Sequence, residues 1–301
     1  MQRYACDRCG KSFSESQPLD GLRVDFDKAC QVVNLLCESM GIRAIQRFTG
    51  LHQETILNIL ETAGQKAAAF MDAKIRNLQS KHVQTDEIAS YVGCHQYKAK
   101  DDEQRGGFFT FMSIDRDSKL IINMRTDRRN LEVATEFMSD LKSRMASRFQ
   151  LSTDGWRGYS GPASSVKTVF GNSIDYATEI KHYVSKNRAA AKTMFQLERY
   201  GALRVDSVAK KARIGQPDMD MATTSHCERT NLTIRQFIKR FNRLTIGYSK
   251  KLDNHKHALA LFMWYFNFAK KHGAHGKTPA EVAGLTDKPM TIGELLTAET
   301  R

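Results

Sequence analysis

Hydrophobic positions recur at helical spacing through the first eighty residues, and from residue 82 onward they switch to the alternation and short runs of strands. Phe26, Cys30, Val33, Cys37 and Met40 form one stripe, with the i, i+3/i+4 repeat of a helix buried on one face. Ile42, Ile45 and Phe48 form a second, shorter stripe that ends at the tight turn Thr49-Gly-Leu-His52. A third run turns Ile56, Leu60 and Ala63 inward and Gln53, Glu54, Asn58 and Glu61 outward, and a linking helix is expected from Ala67 to Leu78. Strands are expected over residues 82–92, 108–114 and 120–125, with Asp115-Arg-Asp-Ser-Lys119 as the hairpin turn between the last two. Leu131, Ala134, Phe137, Met138, Leu141 and Met145 return to helical spacing behind a capping Asn130. A strand over 149–153 runs into Asp154-Gly155, and the apolar segment 166–170 reads as a further strand. A mixed, basic stretch follows to about residue 222, and two helices, from His226 to about Leu244 and from Asn254 to about Lys271, close the pattern.

Three meandering strands, a helix, two more strands and a late helix make an α/β pattern with a mixed sheet, the order of a ribonuclease-H-like fold. That fold sets acids on its first strand, at the end of its fourth, and on a late helix. Asp86, Asp154 and Glu228 occupy those three places. Three carboxylates gathered at one sheet edge suit two Mg²⁺ or Mn²⁺ ions working on a phosphodiester, because phosphate oxygens and water complete each octahedron. In this reading Asp86 bridges both ions, and Asp154 and Glu228 hold one side each.

Charge agrees with a polyanionic partner. The 301-residue chain has a formal charge of +13, and residues 226–271 carry ten Lys or Arg against two acids, whereas residues 1–80 are close to neutral. Arg229, Asn231 and Arg235 share the Glu228 helix, and Arg240, Arg243, Lys250 and Lys251 extend a candidate phosphate track. Trp156 and Tyr159, close behind Asp154, are candidates for stacking on an unpaired base. The two short helices around Thr49–His52 have helix-turn-helix spacing and would offer Gln53 and Asn58 to a DNA groove; a three-helix bundle that touches nothing fits the same stripes. Cys6 and Cys9 form a Cys-x-x-Cys knuckle, half of a four-ligand zinc site. Cys30 and Cys37 lie on an apolar stripe and read as core. Six cysteines with only one close pair point to a reducing compartment. The longest apolar stretch, residues 258–266, is too short to span a bilayer.

The segments Val83-Gln-Thr-Asp-Glu-Ile-Ala-Ser-Tyr-Val92, Thr153-Asp-Gly-Trp-Arg-Gly-Tyr159, His226-Cys-Glu-Arg-Thr-Asn-Leu-Thr-Ile-Arg235, Ser249-Lys-Lys-Leu-Asp-Asn-His255 and Thr278-Pro-Ala-Glu-Val-Ala-Gly-Leu-Thr-Asp287 resemble the DDE transposases of bacterial insertion sequences, closest to the insertion-sequence-one type. The resemblance implies an N-terminal zinc ribbon and helix-turn-helix that recognise terminal inverted repeats, then a ribonuclease-H-like catalytic domain with Asp86, Asp154 and Glu228 as its triad. Family members tend to open with two knuckles, where this chain shows one, and an aromatic commonly stands where this chain has Ala89. The expected layout is a partial zinc knuckle over 1–21, a helix-turn-helix region over 22–80, a catalytic domain over 81–271 with a basic insertion at about 171–222, and a tail over 272–301. The expected protein is a cytoplasmic, nucleoid-associated bacterial enzyme, homo-oligomeric on DNA. Two alternatives stay open: a nuclease that cuts without joining, and a domesticated copy that binds DNA without chemistry.

Overall fold

The computed structural model of the protein describes residues 3–14, 19, 21–100, 102–184, 204–242 and 245–298. A small hairpin of β1 (Arg3–Ala5) and β2 (Ser12–Ser14) carries Cys6 and Cys9 at its tip. Three helices follow: α1 (Phe26–Cys37), α2 (Ile42–Thr49) and α3 (Gln53–Lys74). Asp25 starts α1 by accepting the Lys28 amide, and Gly50, at φ +71°, ends α2 in the left-handed region that a side chain resists. The expected second helix and linking helix are one continuous α3, since nothing between Ala63 and Lys74 breaks it.

The sheet follows, with β3 (His82–Val92), α4 (Gln96–Ala99), β4 (Gly106–Asp115), β5 (Ile121–Asp127), α5 (Leu131–Arg144), β6 (Gln150–Thr153), α6 (Arg157–Ser160), α7 (Ser165–Phe170), β7 (Asp175–Val184) and β8 (Arg204–Ile214). Strand order is β5-β4-β3-β6-β7-β8. The first three strands are an antiparallel meander, β6 and β7 run parallel to β3, and β8 closes the edge antiparallel to β7. This is the ribonuclease-H-like arrangement, with one added edge strand.

Two sequence expectations give way here. Residues 166–170 are helical: Ser164 caps α7 by accepting the Lys167 amide, Val166 and Phe170 share a buried face four residues apart, and Gly171 stops the turn at φ +54°. The strand expected there is β7, which, with β8, lies inside the stretch read as a basic insertion. In β7 four consecutive residues, Tyr176 to Glu179, are buried and leave no alternation, and in β8 Lys210, Lys211 and Arg213 interrupt it.

The late helices are α8 (Ser225–Phe237) and α9 (Leu252–Trp264), the second running into a π-helical turn over Tyr265–Ala269. The expected helix to residue 244 stops at Phe237, and two short capped helices, α10 (Pro279–Val282) and α11 (Ile292–Thr297), come after α9. In the π turn the buried Asn267 side chain accepts the Ile121 amide at 2.9 Å and donates to the Ile121 carbonyl at 2.8 Å, so it acts as a strand partner for the start of β5. On its other side α9 packs along α3. Phe70 and Phe268 meet edge to face at 5.1 Å, and Lys66 donates to the Ala298 carbonyl beyond α11 at 2.9 Å. One hydrophobic cluster therefore runs from Leu19 through the helices and both sides of the sheet to Leu296.

The other end of α9 is fixed to β3 by His255. This fully buried ring shares hydrogen bonds with Ser249 Oγ at 2.8 Å and Ser90 Oγ at 3.1 Å and lies on Phe241 at 4.6 Å. Burial, with the neighbouring Arg240 and Lys256 charges, pushes its pKa down to about 3, so it serves as a neutral link.

A close helix contact is made at Gly64, where an added Cβ would lie 2.6–2.7 Å from the His257 backbone and Cβ. Backbone atoms cannot step aside as a side-chain tip does, so Gly64→Ala is expected to force α3 and α9 apart. That overpacking should cost roughly 1–3 kcal/mol despite alanine's better helix propensity. Urea denaturation of the full chain checks this, and an unchanged midpoint would contradict the contact.

Candidate active site

The site is built by strand register. The three parallel strands are paired up to Thr85, Thr153 and Thr178, which stand side by side as the last rung: Thr85 opposite Thr153, and Thr153 opposite Thr178. All three threonines are fully buried. Their hydroxyls are engaged by Ser113 at 2.8 Å, Tyr176 at 2.8 Å and the Arg213 guanidinium at 3.1 Å. The next residue on each strand is acidic: Asp86, Asp154 and Glu179. Pairing ends there for β6, so Asp154 leaves the sheet beside Asp86 at the carboxyl ends of parallel strands, where ligands bind in open α/β sheets. Asp154 folds back to accept the Trp156 amide at 3.0 Å.

Helix α8 crosses this edge. Gln84 on β3 accepts the His226 amide with its side chain at 2.9 Å, and its carbonyl accepts the buried Cys227 thiol at 3.2 Å. Glu179 accepts the Thr224 amide at 3.0 Å and the Thr224 hydroxyl at 3.1 Å, so a buried carboxylate sits at the helix N-terminus, where the macrodipole favours negative charge. Thus anchored, α8 buries Cys227, Thr230, Asn231 and Ile234 and leaves Glu228 at its exposed margin.

Asp86, Glu87 and Asp154 each bring a carboxylate oxygen to within 4.8 Å of the others. Two of the expected acids are therefore together, and Glu87, absent from the sequence reading, is with them. Glu228 is not in that group. It is ion-paired with Lys181 of β7 and accepts the Thr224 hydroxyl at 3.2 Å. Lys181 also lies 3.6 Å from Glu179. On the opposite flank Arg129 donates to Glu87 at 3.2 Å, lies 3.7 Å from Asp154, and stands 4.4 Å from the Trp156 ring centroid. Asp86 lies between the two flanks with no ion pair among the described residues; Asn231 donates to it at 3.0 Å.

Burial raises the Asp86 carboxyl to about 6, opposed by the Glu87 amide and reinforced by the charges of Asp154 and Glu228. Glu87 rises to about 7, again chiefly through burial, with Arg129 opposing and the two aspartates adding to the rise. Half-buried carboxylates that repel one another across less than 5 Å form the donor set a hard divalent cation takes. The residues present therefore fit Mg²⁺ or Mn²⁺ on the Asp154 side.

Other expected site residues divide. Gln53 and Asn58 are exposed on α3, and Arg229, Lys250 and Lys251 are exposed near the acidic edge or at the start of α9. Arg235 is half-buried on α8. Asn231 is buried against Asp86, so it orients a carboxylate and does not face DNA. Arg240 turns its guanidinium inward, donating to the Asn254 carbonyl at 2.7 Å, and burial lowers its pKa to about 10; it props α9 and is not on a phosphate track. Arg243 lies outside the described residues. Tyr159 is fully buried, edge to face with Trp156 at 5.0 Å, so it offers no face to a base. Trp156 is half-buried and packs over Gly158, where even a Cβ would meet its ring at 2.4 Å.

At the N-terminal hairpin the Arg8 amide, with the Cys9 thiol and amide, holds the Cys6 thiol below its ordinary pKa, which suits a metal-binding thiolate. Cys37 is core, and Cys30 packs partly buried against it. No third Cys, His, Asp or Glu among the described residues converges on Cys6 and Cys9, so they do not form a closed zinc site there.

No protein-family profile matches the chain, and no curated protein matches it in sequence. Among solved structures it is similar to a chain of the simian T-cell lymphotropic virus intasome in complex with PP2A regulatory subunit B56 gamma, at 12% identity and TM-score 0.38 over 87% of this chain and 77% of that one. It is also similar to a chain of the piggyBac transposase synaptic complex with hairpin DNA, at 10% identity and TM-score 0.38 over 90% of this chain and 68% of that one. No helix of the described residues is long and apolar enough to cross a membrane.

The raised acids make a signed prediction. Asp86 and Glu87 bind protons more tightly folded than unfolded, so their contribution to stability is complete below about pH 4 and is lost as pH rises through about 6 and 7. Asp86→Asn should therefore stabilise the metal-free protein increasingly from pH 4 to pH 8, by up to about 3 kcal/mol. Added Mg²⁺ should stabilise wild type at pH 8 and much less at pH 5. Thermal melts at fixed salt read both, and a variant whose advantage shrinks with rising pH would contradict the crowded-carboxylate account.

Proposed function

We propose that this chain is a DNA transposase that binds element ends and catalyses divalent-cation-dependent strand cleavage followed by strand transfer. The observation that carries the reading is the convergence of Asp86, Glu87 and Asp154 within 4.8 Å where the β3–β6 pairing ends, with Glu228 of α8 near enough for its charge to bear on Asp86. The resemblance of the segments around Asp86, Asp154 and Glu228 to insertion-sequence transposases supports the same reading. In it Asp86, Asp154 and Glu228 are the acidic triad of the centre, and homo-oligomeric assembly on paired DNA ends is expected.

Divalent cations, when bound, would activate the attacking oxygen and offset charge on the phosphate. The chain's own residues set the stage for that chemistry. Asp86 and Asp154 hold their carboxylates against mutual repulsion because strand register leaves them no other place. Asn231 fixes the rotamer of Asp86 through one hydrogen bond. Glu228, held by Lys181, keeps charge at the α8 margin. Arg229, Lys250 and Lys251 offer exposed cations to the backbone of DNA approaching that edge. Gln53 and Asn58 are the candidate base-reading groups of the helix-turn-helix. The reaction is hydrolysis of a phosphodiester to leave a 3′-hydroxyl, then in-line attack of that hydroxyl on a target phosphodiester.

The full chain, incubated with labelled duplexes from the DNA flanking its gene, should nick and join ends only when Mg²⁺ or Mn²⁺ is present. Asp86→Asn and Asp154→Asn should each lower both steps at least about 100-fold while binding of the duplex persists. Undiminished joining by Asp154→Asn sinks the assignment, and cleavage without joined product favours the nuclease alternative. Arg229→Ala and Lys251→Ala should each reduce the salt dependence of DNA binding by about one unit of log–log slope, without changing sequence preference.

A further inference from the structure

Lys181 stands where the Glu228 flank of the centre would need a cation. Its ammonium contacts Glu228 and lies 3.6 Å from Glu179. The stem is largely covered, with the side chain 18% exposed. Glu179 is fixed, buried under the α8 N-terminus, whereas Glu228 is half-exposed and shares the Thr224 hydroxyl with Glu179. Lys181 is also close enough to Asp86 for its charge to bear on that carboxylate. The opposite flank differs. There Arg129 lies against Glu87 and Asp154, yet those two acids and Asp86 still converge on a common volume within 4.8 Å. Among the described residues no comparable convergence exists on the Glu228 side.

We infer that the Lys181 ammonium replaces one of the two divalent cations, so that the centre binds a single cation, held by Asp86, Glu87 and Asp154, with Glu228 serving to position the lysine. This rests on the cation-dependent function proposed above and specifies how that site is charged. An ammonium is a compact point charge with three donors. Placed between Glu228 and Glu179 it offsets two carboxylates that would otherwise repel one another. It lacks the second positive charge of a divalent ion and cannot lower the pKa of a coordinated water, so activation of the attacking oxygen falls to the Asp154 flank.

Titration of the full-length protein with Mn²⁺, followed by calorimetry and by the electron paramagnetic resonance signal of free Mn²⁺, tests this without any turnover. Wild type should take up one ion per chain. Lys181→Gln should take up two, Lys181→Arg one, and the Lys181→Gln, Glu228→Gln double variant one again, because the freed carboxylate is what the second ion uses. Cooperative melting of each variant certifies the fold, and Lys181→Met stands in should Lys181→Gln fail that check. Two ions in wild type, or one in Lys181→Gln, overturns the inference and leaves the proposed function standing. No uptake of Mn²⁺ by wild type, with Asp154→Asn behaving identically, removes both.

Discussion

The end of pairing between parallel strands is the constraint on which the rest of this molecule depends. Because β3, β6 and β7 share a last rung at Thr85, Thr153 and Thr178, three acids one residue further on must emerge side by side. A slip of one residue would turn every side chain of a strand to the other face. Register here is held by the buried threonine hydroxyls and by the apolar residues beneath them, Val83, Leu151 and Tyr176, all nearly fully buried. The core therefore places like charges against each other at a cost in stability, and the site retains that repulsion.

The same edge depends on groups that come from far along the chain. Helix α8 reaches β3 through Gln84 and Cys227 and reaches β7 through Glu179 and Thr224, so it spans the two strands that flank the short β6. Helix α9 is fixed at one end by His255 to β3 and at the other by Asn267 to β5. Between those ends it packs on α3 with no room for a Cβ at Gly64. The N-terminal helices and the acidic edge are consequently parts of one packed body in which α9 is shared.

Much of this was legible in the sequence, and what was not has physical causes. Residues 82–92, the Asn130 cap and the Asp154-Gly turn were readable because apolar periodicity and capping chemistry agree locally. The segment 166–170 misled because Val-Lys-Thr-Val-Phe fits period 2 as well as a short helix, and only the Ser164 cap and Gly171 distinguish them. β7 was lost because Tyr176 to Glu179 are all buried and show no alternation, and β8 because basic residues interrupt its apolar positions. Glu87 escaped notice because a strand neighbour of Asp86 points to the other face, and it returns to the cluster only because β6 ends beside it. Lys181 and Arg129 pair across 47 and 42 residues of chain, a relation no local pattern encodes. The repeated Thr-acid dipeptide at 85–86, 153–154 and 178–179 was the one available signal for Glu179.

Arg129 and Lys181 divide the site into two unequal halves, and their chemistry explains the inequality. A guanidinium is planar and spreads its charge, so Arg129 can lean on the Trp156 ring and touch Glu87 and Asp154 at their periphery without filling the space between them. An ammonium is compact, and Lys181 enters the gap between Glu228 and Glu179 itself. Asp86, lying between these halves, is bonded among the described side chains to Asn231 and makes no ion pair there. Attraction for an incoming cation is therefore concentrated on the Asp86–Asp154 side, whereas on the other side an ammonium already stands between two carboxylates.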